Sequence, residues 1–229
     1  MKTSTKGLIA LMNSEGVVLP SYKDSANVWT LGVGHTRAAG VPKPGPGVSV
    51  TLKQAVDLFR RDIVKYEAGV NRAIKVPLKQ HEFDALVHWH YNSGAIATAT
   101  LTKKINAGDM HGAAAEFARW NKITVRAGGK KKRVVSKGLV TRRKMETALF
   151  TSGNYGQLST VLVYPGVTSH DRPTGATRMS TTEVLSVPRE RPPVDTVVAK
   201  PKPEVVQTPP VRANLWGKIV AFILNWRRK

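Results

Sequence analysis

Two carboxylates near the start of the chain, Glu15 and Asp24, differ in their surroundings in a way that suits paired acid and base chemistry. Glu15 follows the apolar residues Leu8, Ile9, Leu11 and Met12 and precedes Val17 and Val18, a partly desolvated setting of the kind that favours a protonated carboxylic acid. Asp24 stands in the polar run Lys23-Asp24-Ser25-Ala26-Asn27, a setting that keeps a carboxylate ionised. Cleavage of a glycosidic bond needs this division. One acid gives a proton to the leaving oxygen, and a second group on the other side of the sugar attacks or orients water. Thr30, six residues after Asp24, lies on the strand expected to fold back toward it, where its hydroxyl is placed to help hold a water against that carboxylate.

Other polar groups read as scaffold or surface. His88 and His90, two apart on a helix, point to different sides, and no third ligand has matching spacing, so no metal is expected. Gly32-Val33-Gly34 lacks the third glycine and the strand-helix-strand setting of a phosphate loop, and turn geometry explains it better. Trp89, Tyr91 and Trp120 occupy core-like helical positions. Lys130, Lys131, Lys132 and Arg133 follow Gly128-Gly129 in an expected loop between the last two helices, as a solvated charge run or a contact with an anionic envelope. No aromatic platform accompanies them, so nucleic acid is not expected as a partner.

The elements that must position the carboxylates follow from periodicity. A short helix ends just before Glu15. Val17, Val18, Leu19 and Tyr22, then Val28, Trp29, Leu31 and Val33, predict two strands around a turn. Residues 40–47, with three prolines and three glycines, exclude regular structure. Thr51 and Gln54 form a capping box that opens what should be the longest helix, through Val56, Phe59, Ile63 and Val70. Further helices are expected over 78–91, 100–107, from Asp109 or His111 to Trp120, and over 139–150. The fold class is α+β, mostly helical with a small N-terminal sheet.

Composition bounds the rest. The 229 residues hold one ordinary domain plus an appendage, and 36 Lys and Arg against 15 Asp and Glu give a net charge of +21 that draws the chain to polyanions. No cysteine is present, which excludes disulfides and thiolate chemistry. The apolar run after Lys6 is too short for a secretory signal or a membrane span, so export should need outside help. Nine of the 14 prolines follow Ser152, so residues 153–212 read as a flexible linker without a packed core. Residues 213–229 then form a cationic amphipathic helix, with Trp216 and Trp226 on the apolar face, Lys218 opposite, and Arg227, Arg228 and Lys229 at the end. At about 25 Å, and interrupted by Lys218, it suits a membrane interface rather than a span.

The stretches Glu15-Gly16-Val17-Val18-Leu19-Pro20-Ser21-Tyr22-Lys23-Asp24 and Trp29-Thr30-Leu31-Gly32-Val33-Gly34-His35-Thr36 closely resemble the catalytic motif of the phage lysozymes, glycoside hydrolase family 24. Asn92-Ser93-Gly94, Phe117-Ala118-Arg119-Trp120 and Gly138-Leu139-Val140-Thr141-Arg142-Arg143 resemble the family's later junctions, so the likeness spans about residues 5–150. It implies Glu15 as general acid, Asp24 as the carboxylate that positions water, Thr30 as an orienting hydroxyl, and Gly34, His35 and Asn92 as substrate contacts. It also implies inverting cleavage of the β-1,4 bond from N-acetylmuramic acid to N-acetylglucosamine in peptidoglycan, without a cofactor. Asn27 departs from the family's frequent glycine, although Asn tolerates positive φ. The expected protein is a monomeric endolysin held in the host cytoplasm until a holin releases it. Its basic run (Lys130–Arg133) and tail should contact anionic membrane or lipopolysaccharide. The alternatives are a cationic membrane-disrupting protein with an idle lysozyme fold, and a virion-borne entry enzyme.

Overall fold

The computed structural model describes residues 1–24, 27–127 and 130–186. Helix α1 (Thr5–Glu15) starts on an N-cap, Ser4 Oγ, which accepts from the Gly7 amide at 3.0 Å. Ser4 is itself fixed by Asp84, which accepts from its amide and its hydroxyl. Gly16, at φ 78°, closes the helix and turns the chain directly into strand β1 (Val17–Lys23), so Glu15 is the last helical residue. Strand β2 (Trp29–Gly32) returns antiparallel to β1, and β3 (His35–Thr36) follows it. Asn27 adopts φ 61° in the hairpin, the left-handed conformation that its family departure requires.

The capping box at Thr51 and Gln54 opens α2 (Leu52–Asp62) as expected. The long helix does not run on unbroken, however. Ile63 separates α2 from α3 (Val64–Ala73), keeping right-handed angles, so the helix bends rather than stops. Among the described residues the longest helix is instead α7 (Lys137–Ser152). Between them lie α4 (Gln80–Ser93), α5 (Thr100–Asn106) and α6 (Met110–Glu116), with a short 3-10 turn over 117–119. Helix α4 is the centre of the core, with Phe83, Ala85, Leu86, Val87, Trp89 and Tyr91 all buried, together with the polar Asp84, His88 and Asn92. Trp89 packs edge-on against Phe117 and Trp120, and Tyr91 against Tyr66 and Phe59, which confirms the packing role read for Trp89, Tyr91 and Trp120.

Two expectations need correction. Lys130, Lys131, Lys132 and Arg133 are not in a loop. They lie on strand β5 (Lys130–Val135), paired antiparallel with β4 (Lys122–Ala127) in a separate two-stranded hairpin. In β4 the β-branched residues Ile123, Thr124 and Val125 favour a strand, and β5, charged over its first four residues, ends on Val134 and Val135, with Val134 opposite Ile123.

Nor is the chain after Gly153 all linker. Strand β6 (Thr160–Tyr164) joins the sheet parallel to β1, and after the small pair β7 (Gly166–Val167) and β8 (Pro173–Thr174), strand β9 (Thr177–Ser180) adds antiparallel to β6. The sheet order is β3-β2-β1-β6-β9, and helix α8 (Thr181–Leu185) packs Val184 into the main core. Val161, Leu162, Val163 and Tyr164 are all buried, because an inner strand covered on both faces is a continuous apolar run rather than an alternating one. Of the prolines that suggested a linker, Pro165 follows β6 and Pro173 opens β8; the other seven, from Pro188 on, and the tail helix lie outside the described residues.

Candidate active site

Glu15 is brought to the sheet by the end of α1 and Asp24 by the end of β1, and both are buried, at 4% and 7% exposure. Asp24 organises the hairpin. Its carboxylate accepts from the Val28 amide at 2.8 Å, and its own amide donates back to the Val28 carbonyl at 3.0 Å. Thr30 donates its hydroxyl to that same Val28 carbonyl at 3.2 Å. The Val28 peptide therefore links Asp24 to Thr30, which the sequence placed together by register alone. On the other side of Thr30, β2 pairs it with Thr36 of β3.

The surroundings of Glu15 differ from expectation. It is buried, but not in a purely apolar pocket, because Arg142 Nη1 of α7 lies 2.5 Å from its carboxylate. Arg142 Nε binds Glu146 at 2.8 Å and Nη2 reaches the His88 carbonyl at 3.2 Å, so the guanidinium is divided between two carboxylates rather than given wholly to Glu15. Arg143 Nη2 binds both Glu146 and the Asn92 side chain at 2.8 Å. Burial opposes the charge on Arg142, but Glu15 and Glu146 outweigh it and push its pKa up. Arg143, buried with weaker compensation from Glu146, is lowered to about 10.

Tyr22 lies among the candidates. It pairs across the strands with Thr30, and its phenol is pushed well above its ordinary pKa by burial and then by the charges of Glu15, Asp24 and Tyr164. Tyr22 stands two residues before Asp24 on the strand that joins the two carboxylates.

The three residues expected to contact substrate are buried, and His35 and Asn92 are held by protein partners. His35 is 1% exposed, with Nδ1 at 2.6 Å from Asp62 and Nε2 at 2.9 Å from the Pro42 carbonyl, so both ring nitrogens tie the Pro and Gly segment to α2. Asn92 is buried against Arg143, and Gly34 is buried at φ 79° in the turn between β2 and β3. Tyr91 donates to the Val33 carbonyl within the same turn. Lys130, Lys131, Lys132 and Arg133 are exposed on their hairpin, while Trp216, Lys218, Trp226, Arg227, Arg228 and Lys229 lie outside the described residues. Among the described residues, no group of three or more His, Cys, Asp or Glu side chains is arranged to hold a metal. Sequence reasoning gave no role to Tyr22, Arg142 or Glu146, all of which meet the candidate site here.

A phage lysozyme profile matches residues 12–146, a span that opens three residues before Glu15 and closes on Glu146. The chain belongs to the phage lysozyme family. It is a lysozyme-type glycoside hydrolase. An endolysin from Acyrthosiphon pisum secondary endosymbiont phage 1 is 42% identical over 154 residues, which cover 66% of this chain and 99% of that protein. Among solved structures, the endolysin from Escherichia coli O157:H7 phage FAHEc1 is 41% identical, with a TM-score of 0.62, covering 69% of this chain and 98% of its own. The muramidase domain of SpmX from Asticaccaulis excentricus is 27% identical, with a TM-score of 0.57, over 66% of this chain and 98% of that one. Strands β6 to β9 of this lysozyme lie beyond the residues that the family profile matches.

Proposed function

We propose that this lysozyme is a phage endolysin that hydrolyses the β-1,4 bond from N-acetylmuramic acid to N-acetylglucosamine in bacterial peptidoglycan. Glu15 is the general acid that protonates the leaving oxygen, Asp24 the carboxylate that positions the attacking water, and Thr30 the hydroxyl that orients it. Water attack from the face opposite the leaving group inverts the anomeric carbon. One observation carries this reading: Glu15 and Asp24, both buried, stand at the two ends of β1, and Val28 ties Asp24 to Thr30. The relatives named as endolysins and as a muramidase domain support the same reaction.

The charge serves delivery in this reading. The hairpin carries Lys122, Arg126, Lys130, Lys131, Lys132 and Arg133 and no acidic residue, which suits contact with an anionic envelope. The tail of residues 213–229 supplies a membrane- or lipopolysaccharide-directed helix. Release from the host cytoplasm through a holin brings the enzyme to the wall.

The test is release of reducing ends from purified peptidoglycan. Glu15→Gln should abolish it, and Asp24→Asn should lower kcat by a factor of about 100 or more, since each removes a group that acts on a proton or water. Resolving the first-formed anomer by NMR should give the α product. Parent-level activity in a folded Glu15→Gln chain would overturn the assignment.

A further inference from the structure

We propose that Tyr22 is a positioning residue for the hydrolysis and that strand β6, through Tyr164, holds it in place. The proposal rests on the roles given above to Glu15, Asp24 and Thr30, and it adds a contribution from the segment after Gly153 that the family match does not include.

The geometry begins with the strand that joins the two carboxylates. Residues 17–23 run from Glu15 to Asp24, but the β1 and β2 ladder is irregular between Val18 and Tyr22, where Pro20 has no amide proton to donate. Residues 48–50 take up part of the free backbone, with Ser21 donating to the Val48 carbonyl at 2.7 Å and Val50 to the Leu19 carbonyl at 3.0 Å. Regular pairing with β2 resumes at Tyr22 opposite Thr30. The anchoring of Tyr22 therefore sets where Asp24, two residues on, and Thr30, directly across, stand relative to Glu15.

That anchor is built from the far side of the sheet. Tyr22, at 2% exposure, is not in the main core. It belongs to a second, smaller cluster with Val18, Leu162 and Tyr164, and Val167 packs at its edge. Of these neighbours only Val18 lies within the family match; Leu162, Tyr164 and Val167 come from the later segment. The parallel register sets Val163 opposite Val17 and Tyr164 opposite Val18, so Tyr164 joins the cluster beside Val18. Alternate β6 residues divide between the faces, with Val161 and Val163 in the main core and Leu162 and Tyr164 in the smaller one.

Removing the Tyr164 ring takes the largest other side chain out of the cluster that holds Tyr22 and should open that cluster to water. A displacement near 1 Å at a reacting group costs up to about a hundredfold in rate. The effect belongs in kcat, because no residue of the smaller cluster is assigned to substrate.

The experiment uses the full chain with soluble peptidoglycan fragments, and follows kcat, KM, the pH profile of kcat and thermal unfolding. Tyr164→Ala should lower kcat by about tenfold or more, leave KM within about twofold and displace the pH profile, since the medium between Glu15 and Asp24 changes. Tyr164→Phe, which keeps the ring, should restore kcat. Val161→Ala, a truncation on the same strand facing the main core, should lower the melting temperature and leave kcat and the pH profile as in the parent. Should Tyr164→Ala not fold, Tyr164→Leu is read by the same criteria. A folded Tyr164 variant with parent kcat and pH profile overturns the proposal, as does a loss confined to KM or an equal kcat loss in Val161→Ala. Failure of the catalytic assignment would show separately, as full activity in Glu15→Gln.

Discussion

Arg142 has every nitrogen committed: Nη1 to Glu15, Nε to Glu146 and Nη2 to the His88 carbonyl, at 2% exposure. Replacing it by Met would leave two buried carboxylates facing only what Arg143 supplies. Removing one partner of a buried ion pair typically costs about 3–5 kcal/mol, so Arg142→Met should lose that much in urea unfolding at pH 7. Beside it, His88 is held neutral. Burial lowers its pKa to about 4, with its Nε2 donating to the Gly7 carbonyl. A group whose pKa is depressed on folding takes up more protons when unfolded, so stability should fall as pH drops from about 6.5 toward 4, by at most about 3 kcal/mol for this residue. His90, also lowered to about 4 by burial, adds a loss of the same sign. Comparing melting temperatures of the parent and His88→Gln at pH 7 and pH 5 checks this, with the variant expected to be less acid-sensitive. At this scale Glu15, Asp24 and Thr30 were legible because they share one local stretch. Arg142 joins the site from 127 positions away, beyond any spacing rule. A signal did exist. Leu139, Arg142, Arg143, Glu146, Leu149 and Phe150 fall on one helical stripe and are all buried, and charges on a core stripe imply a buried network.

Helix α1 delivers Glu15, and its opposite end is clamped by Asp84, which accepts from the Ser4 amide and hydroxyl, from Gln80 Nε2 and from the Tyr155 hydroxyl. Gly7 sits inside that clamp. In an open helix, Gly→Ala gains up to about 1 kcal/mol of propensity. Here a Cβ would meet Asp84 Cγ at 2.7 Å and Thr3 Cγ2 at 2.8 Å, and Asp84 cannot retreat without surrendering its partners. Overpacking of this kind costs about 1–3 kcal/mol, so the steric effect wins and Gly7→Ala should lower the melting temperature by several degrees in a calorimetric scan. A gain in melting temperature would show the clamp to be slack. Most elements were legible in the same way as α1, from apolar period and caps, and the Thr51 capping box stands where the sequence puts it. Strands β5 and β6 were not. In β5 the lysines obscured the period of two, and in β6 burial on both faces removed the alternation that marks a strand.

At the scale of the whole molecule, the boundary between catalytic body and appendage moves from Ser152 to beyond α8. Strand β6 covers the β1 edge that would otherwise present unpaired backbone groups, α8 adds Val184 to the main core, and Leu162 with Tyr164 closes the second cluster. A chain ending at Ser152 would strip all of this from the strand that joins Glu15 to Asp24. It should aggregate or lose most of its activity on purified peptidoglycan, with its melting temperature lowered. A chain ending at Ser186 keeps every one of these contacts and removes residues 187–229, to which the tail's share of the proposed delivery role belongs. It should hydrolyse purified peptidoglycan at the parent rate and bind vesicles containing anionic phospholipid less well, with a smaller dependence on salt, because fewer cations remain to be screened. Turbidity clearing and reducing-end release from purified wall, set beside vesicle co-sedimentation at low and high salt, separate the two cuts. Equal wall activity in both truncated chains would return residues 153–186 to the status of a tether, and equal vesicle binding by the Ser186 chain and the parent would place the envelope contact on the catalytic body, where the basic hairpin is exposed.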